Sequence, residues 1–385
     1  VTHYTFETIG AADALAIGAS DTLTFLAGSA NHVSVVYSPL DLTLPARIEV
    51  TVGDRVVAFG TGLSELTGNG GAIFADGSKL FVGSALDERA VGTDAGDGLY
   101  GGAGSDTLDG GKGDDFLQGN SGDDSIIGGL GSNTLLGGKG DDAIFAASQD
   151  ETRGSYAHGN QGNDDIVGGS GADTLLGGQG DDFIAAGAGN DYLSGDLGGD
   201  ELHGGEGDDT LLGGGGNDIL QTGGGHDRVL GGDGDDLIVV ERSGGAFVYG
   251  DAGDDVIVSA AAGRDVLSGG EGRDRFELAT VAAPTEGRDD VIVDWQAGDQ
   301  LHFPQVTLYE ILPKSYSEFV AESYAQALSI ANQHISGAGA VYVAAQVGAD
   351  VIVFADADGD PADGADTAVV LLGRSLADIS LSDFV

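Results

Sequence analysis

GGKGDDFLQ at 110–118, GGQGDDFIA at 177–185, GGEGDDTLL at 204–212 and GGDGDDLIV at 231–239 are copies of one nine-residue pattern, Gly-Gly-x-Gly-x-Asp-x-U-x, where U is a large apolar residue. Seventeen copies fill most of residues 101–277, in uninterrupted runs at 101–145 and 159–239. The fourth position is Gly in every copy. The sixth is Asp in all but one, where Asn133 stands, and the eighth is Leu, Ile, Val or, once, Phe276. Repetition at a fixed short period marks an architecture of stacked units, because one unit cannot bury its apolar face alone. A disordered Gly/Asp-rich segment would not hold an apolar residue at every eighth position.

The pattern has a direct physical reading. Glycine at positions one, two and four admits backbone with φ > 0, which a side chain obstructs. A tight turn follows, its carbonyl oxygens directed toward a common centre, and the sixth-position Asp adds a hard anionic oxygen. The x-U-x remainder is a short strand with one apolar side chain turned inward. Two nonapeptides make one coil, so turns of alternate copies stack on the same side. Carbonyls and two carboxylates between stacked turns give about six oxygens, a set that suits Ca²⁺ better than the stricter octahedron of Mg²⁺. The expected fold is therefore all-β: a parallel β-roll solenoid with an N-terminal β cap and a C-terminal β-rich cap containing one helix. Each coil of eighteen residues buries only two U side chains. At about 25 cal/mol per Å² this does not offset about 1.5 kcal/mol of conformational entropy per residue. Metal binding has to supply the difference.

Composition agrees. The formal net charge is −48, from 63 acidic and 15 basic residues, a density that opposes compaction unless cations neutralise it. About a dozen Ca²⁺ would cancel roughly half of it. Nucleic acid is an unsuitable partner, since phosphate binding needs Lys/Arg clusters. The chain has no Cys, hence neither disulfides nor a thiol nucleophile. It has no run of eighteen apolar residues, and so no transmembrane segment is expected. VTHYTFETIG at the start shows neither the basic nor the apolar region of a conventional signal peptide.

Outside the repeats, residues 1–91 read as a β cap domain. TLTFLA from Thr22, HVSVVYS from His32, RIEVTV from Arg47 and RVVAF from Arg55 carry strand signals, and Gly53-Asp54 reads as the turn of a hairpin. A degenerate copy, GTDAGDGLY from Gly92, leads into the roll, assigned to 92–277. Two interruptions break the period: AASQDETRGSYAH at 146–158, read as a surface loop, and VERSGGAFVY at 240–249, a loop or an irregular coil kept in register. Residues 278–385 form the second cap. DDVIVDWQAGDQLHF from Asp289 reads as strand, turn and strand, with Trp295 placed to plug the roll. Residues 315–336 read as the one helix, with a Ser315/Glu318 capping box, a stripe of Tyr324, Leu328, Ala331 and Ile335, and Gly337 as terminator. Strands follow at Val341, Asp350 and Thr367.

These residues resemble the repeats-in-toxin (RTX) family of bacterial calcium-binding proteins exported by type I secretion machinery. The resemblance is strong over 92–277 and looser through DVIVDWQAGDQLHF, which is similar to the segment after the roll in serralysin-type proteases. It implies that several Ca²⁺ ions are bound and that the chain folds outside the cell. It also implies an uncleaved C-terminal secretion signal, here ending LSDFV. The sixth-position ligands so implied are Asp106, Asp115, Asp124, Asp142, Asp164, Asp173, Asp182, Asp191, Asp200, Asp209, Asp218, Asp227, Asp236, Asp255, Asp265 and Asp274. Carbonyls come from second- and fourth-position glycines: Gly102, Gly104, Gly111, Gly113, Gly162, Gly171, Gly178, Gly180, Gly205, Gly207, Gly214, Gly216, Gly232 and Gly234. The copy two further on adds its first- and third-position carbonyls and its own Asp. Asp164 then shares a site with Asp182, and Asp173 with Asp191. Asn133 weakens its site, whereas the copies starting at Ala186 and Thr222 depart only where a carbonyl is needed.

Catalytic signatures are absent. None of His3, His32, His158, His203, His226, His302 and His334 starts a His-Glu-x-x-His motif, and Gly-x-Ser-x-Gly does not occur. DADGDPADGAD from Asp356 alternates Asp356, Asp358 and Asp360 like the start of an EF-hand loop, but Thr367 stands where the bidentate Glu belongs. The C-terminal strands are similar to the ends of Gram-negative calcium-dependent surface-layer proteins. The expectation is a secreted, non-enzymatic calcium-binding protein at the cell surface or in the extracellular matrix, structural or adhesive through self-association. The alternative is a hydrolase with an unrecognised site, or the secretion and folding module of a longer hydrolase.

Overall fold

The computed structural model describes all residues except 27, 39–46, 147–152, 242–243, 261–262, 279–283, 286, 304–315, 339–341, 357–363 and 385, with backbone only at 337, 338 and 381. The chain forms two compact units, Val1–Tyr192 and Leu193–Val385.

In the first unit, strands stand where the sequence places them, at Thr22–Phe25, Val33–Ser38, Arg47–Val52 and Arg55–Phe59. The last two form the antiparallel hairpin, with Val52 opposite Arg55 and Gly53 at φ 57°. Two short helices, Ala11–Leu15 and Gly62–Gly68, were not foreseen. The second begins and ends in Gly, a poor helix former, yet burial of Leu63 and Leu66 holds it. Phe6, Phe25 and Phe74 stack through the core, with centroids 5.0 and 4.2 Å apart. Tyr100, from the roll, is buried in the same cluster and its hydroxyl donates to the Val33 carbonyl.

Beyond this cluster the nonapeptides wind into a parallel β-solenoid. Each strand pairs in register with the strand one coil later. One column of inward side chains runs Ala90, Leu108, Ile126, Ile144, Ile166, Ile184. The opposite column runs Leu99, Leu117, Leu135, Ala157, Leu175. All are buried, as the eighth-position rule requires. The interruption at 146–158 is more than a loop. Tyr156–Gln161 is a strand and Ala157 takes its place between Leu135 and Leu175.

The second unit repeats the pattern. Leu202, Leu220, Ile238, Ile257, Phe276 and Leu301 form one column. Leu211, Val229, Val248, Leu267 and Ile292 form the other. Val248 shows that 240–249 is an irregular coil held in register. Asp290–Ile292 and Gln300–His302 continue the same pairing past Glu277, and Trp295 is buried against Phe276. Asp290–Ile292 then pairs with Thr367–Leu371, which leads through Asp350–Ala355 and Tyr342–Val347 to Tyr316–Ala321.

The helix differs from the sequence reading. It spans Tyr324–Ala338, while Tyr316–Ala321 is a strand parallel to Tyr342–Val347. Glu318 is therefore in a strand, Ser315 lies outside the described residues, and Gly337 falls within the helix. The apolar stripe was right: Ala327, Ala331 and Ile335 are buried against Val343, Ala345 and Phe354. Alternation in YSEFVA and pairing with a neighbouring strand outweigh the local capping signal.

Candidate metal centre

Within each unit the sixth-position carboxylates form two columns, one on each rim of its part of the roll. From Asp106 to Asp274 every one is at most 3% exposed. Burying ionised carboxylates is costly unless something pairs with them. Within each unit, Oδ1 of these carboxylates accepts an N–H from the coil before it. On one rim of the first unit, the Asp106 N–H donates to Asp124 Oδ1 at 2.7 Å, Asp124 to Asp142 at 2.8 Å, Asp142 to Asp164 at 2.8 Å and Asp164 to Asp182 at 2.7 Å. On the other, Asp173 donates to Asp191 at 2.7 Å. The second unit repeats this from Asp200 to Asp218, Asp218 to Asp236, Asp236 to Asp255 and Asp255 to Asp274, and from Asp209 to Asp227 on the opposite rim. The pairs Asp164/Asp182 and Asp173/Asp191 are thus brought together.

The second oxygen is the informative one. Oδ2 is buried without a hydrogen-bond partner in Asp106, Asp115, Asp124, Asp142, Asp164, Asp173, Asp218, Asp236, Asp255 and Asp274. A buried acceptor left unpaired costs about 1–3 kcal/mol, more when charged. Burial accordingly pushes these carboxyls up: Asp142 to about 8, Asp106, Asp115, Asp236 and Asp274 to about 7, and Asp124, Asp164, Asp173, Asp218 and Asp255 to about 6.

Backbone oxygens close in on the same space. A Cβ on Gly110 would lie 2.4 Å from Asp115 Oδ2 and 2.5 Å from the Gly128 carbonyl oxygen, one coil on. The carbonyls of Gly111 and Gly113 face that next coil, 2.2 and 1.9 Å from where Cβ atoms would stand on Gly129 and Gly131. The Gly111 carbonyl also accepts the Leu130 N–H at 2.9 Å, whereas Asp115 Oδ2 has no hydrogen-bond partner; hard oxygens of both kinds around such an atom are the environment a Ca²⁺ ion completes. Among the described residues no three acidic or His side chains converge; the donor set is stacked carboxylates plus backbone.

The glycines divide the labour differently from the sequence reading. Second- and fourth-position glycines have positive φ, as at Gly111 (93°) and Gly113 (113°), and so do Gly102, Gly104, Gly162, Gly178, Gly180, Gly205, Gly207, Gly214, Gly216, Gly232 and Gly234. Gly171 does not, and neither do first-position glycines such as Gly110. A first-position Gly such as Gly110 leaves clearance beside the carboxylate, although Ala186 and Thr222 fill that position ahead of buried Asp191 and Asp227. Asn120, Asn160, Asp196 and Asp251 take second positions at φ 72–82°, which Asn and Asp tolerate better than other side chains.

Several functional positions were missed. Ser155 and Ala246 occupy sixth positions, since their N–H groups donate to Asp173 Oδ1 and Asp265 Oδ1 at 2.7 and 2.8 Å. Asp290 and Asp299 also occupy sixth positions, accepting from the Asp265 and Asp274 N–H groups. Their signal was the retained Asp-x-apolar triplet without its glycine turn. At these ends the protein supplies the missing donor: Thr93 N–H to Asp97 Oδ2, Ser259 Oγ to Asp265 and Asp290 Oδ2, and Gln296 N–H to Asp299 Oδ2. Asp358 and Asp360 of the EF-hand-like stretch lie outside the described residues.

The sequence pattern of the RTX calcium-binding nonapeptide repeat (4 copies) matches residues 82–117, 118–150, 158–193, 167–202, 194–229, 203–238, 243–261 and 249–278. The roll is built of RTX calcium-binding repeats. Such repeats bind several calcium ions and are characteristic of secreted proteins. Comparison with curated proteins finds no match. Among solved structures, the solution structure of the AlgE6R3 subunit of the Azotobacter vinelandii mannuronan C5-epimerase matches at 25% identity, covering 45% of this chain and 80% of that one, with a TM-score of 0.23. So low a superposition carries no argument about this chain. No helix among the described residues is long and apolar enough to cross a membrane.

Proposed function

We propose that this chain is a secreted, non-enzymatic protein that folds on binding calcium and then serves a structural or adhesive role by self-association. The observation that carries the reading is the column of buried, unpartnered Asp Oδ2 atoms. In this reading each ion lies between two sixth-position Asp residues one coil apart, such as Asp124 and Asp142, with backbone carbonyls of both turns. A route to self-association is offered by the strand Tyr316–Ala321. It ends its sheet among the described residues, and Val320 on it is 73% exposed; such an edge is a template for a strand from another chain.

Calcium titration of the calcium-free chain, followed by circular dichroism and light scattering together, tests both parts. A cooperative gain of β-structure near 10⁻⁴–10⁻³ M, the range of extracellular calcium modules, with scattering rising alongside it, is the expected result. Folding without association at high concentration removes the self-assembly role, and no folding removes the calcium reading.

A further inference from the structure

The two rims are not equivalent. In the first unit, one rim has Asp at every sixth position, Asp106, Asp124, Asp142, Asp164 and Asp182. The other reads Asp115, Asn133, Ser155, Asp173, Asp191. We propose that the first rim is an unbroken calcium ladder, while on the second no ion is held between Asn133 and Ser155, its place being taken by the Asn133 side-chain amide. This rests on the calcium reading above and concerns where in the roll that reading stops.

At an ordinary rung a carboxylate oxygen and the first-position carbonyl of the next coil face one point, and both are acceptors; only a cation reconciles them. At Asn133 a donor stands there instead. Its Nδ2 donates to the carbonyl of Ala146, the first-position residue of the next coil, at 3.3 Å and to the Gly131 carbonyl at 3.4 Å. Two oxygens that would ligate an ion are already hydrogen-bonded. Ser155 preserves only the register contact, its Oγ accepting the Asn133 N–H at 3.1 Å where other rungs use Asp Oδ1. No carboxylate remains at this rung, and oxygen sites without anionic ligands hold Ca²⁺ weakly. Positive charge is supplied nearby by the chain itself: the Arg153 guanidinium pairs with Asp114 at 2.8 Å.

The same copy, 146–158, is the one that carries four residues beyond nine. An ion gripping both turns would oppose a longer path between them, whereas an amide bridge to one carbonyl leaves that path free. In the second unit the copy at 240–249, also longer than nine, has Ala246 at its sixth position and buried Val240 in the first-position place. These two copies thus fall where the carboxylate column is broken, while the ten-residue stretch 259–268 keeps Asp265, whose Oδ2 accepts from Ser259 Oγ at 2.7 Å.

Native mass spectrometry of the full chain at saturating calcium counts the ions. The expected result is that N133D/S155D binds at least one ion more than the wild type, D142N binds fewer, and N133A binds the same number while melting at lower temperature. If the folded double variant gains no ion, or if N133A loses one, the amide-replacement proposal is wrong. If D142N loses none, the fault lies in the calcium-site reading itself. Should N133D/S155D fail to fold, the N133A count decides.

Discussion

Lowering the pH should do part of calcium's work. The ladder carboxyls are raised by burial to about 6 for Asp124, Asp164, Asp173, Asp218 and Asp255, about 7 for Asp106, Asp115, Asp236 and Asp274, and about 8 for Asp142. In the unfolded chain the same groups titrate near 3.9. A carboxyl whose folded pKa is raised favours the fold while protonated. Its contribution is complete below the unfolded pKa and lost as pH climbs through the folded one. At pH 6.5 the groups at about 7 are roughly three-quarters protonated, those at about 6 roughly one-quarter, and Asp142 almost fully. The calcium-free roll then holds on the order of five protons that the unfolded chain has released. Two outcomes are expected. Dialysed, calcium-free protein should gain β-structure by circular dichroism as pH falls from 8 to 5. Calcium added to that acid-folded state at pH 6.5 in weak buffer should expel several protons per chain, because ligating carboxylates must ionise. A calcium-free chain as unstructured at pH 5 as at pH 8 would refute the argument, since the buried carboxylates would then not be what opposes folding.

Other perturbations separate packing from ion binding. Leu211→Ala, at a fully buried position paired with Val229, should cost about 2–5 kcal/mol, read as a lower melting temperature in saturating calcium. Gly213→Ala would put a Cβ 2.3 Å from Asp218 Oδ2 and 2.5 Å from the Gly231 carbonyl; it should move the calcium midpoint upward, and an unchanged midpoint would show that first-position clearance is not needed. Arg153→Ala removes a half-exposed ion pair and should change stability by at most about 1 kcal/mol without altering the ion count.

The fold was legible because its rule is local: each nine residues carry their own turn, ligand and apolar contact. What escaped were positions where the rule is kept by geometry after its residues have changed. Ala157 and Val248 stay in the apolar columns, and Ser155 and Ala246 keep the backbone contact of an Asp, although their copies no longer read as the repeat. Asp290 and Asp299 extend the columns without a glycine turn, since their neighbours already fix the strand direction. The error at 316–323 was of another kind. Ser-x-x-Glu is a genuine capping pattern, but strand pairing with Tyr342–Val347 is decided by residues some twenty-five positions away, which no local window contains.

The way the ladder carboxylates are divided is what couples calcium binding to folding in the proposed reading. In Asp124, Asp142, Asp218 and Asp236, Oδ1 accepts a backbone N–H from the coil before it, which fixes register, and Oδ2 is buried with no hydrogen-bond partner, turned to a space that a cation completes. A coil cannot take its place without burying that oxygen, and an ion cannot be gripped until two consecutive coils are in place. Each addition therefore favours the next, as expected of a solenoid whose stability lies in its nearest-neighbour interfaces. Such a column needs ends that do not demand another ion, and the chain provides them. Thr93 caps Asp97, Ser259 caps Asp290 and Gln296 caps Asp299 with hydrogen bonds to the very oxygen left open elsewhere. These rungs should hold their structure at calcium concentrations that empty the rest. Hydrogen exchange at low calcium should then find protection retained around Asp97, Asp290 and Asp299 while the amides of Asp106, Asp124, Asp218 and Asp236 exchange freely. Simultaneous loss at all of them would mean that the ends are no more than passengers on the ladder.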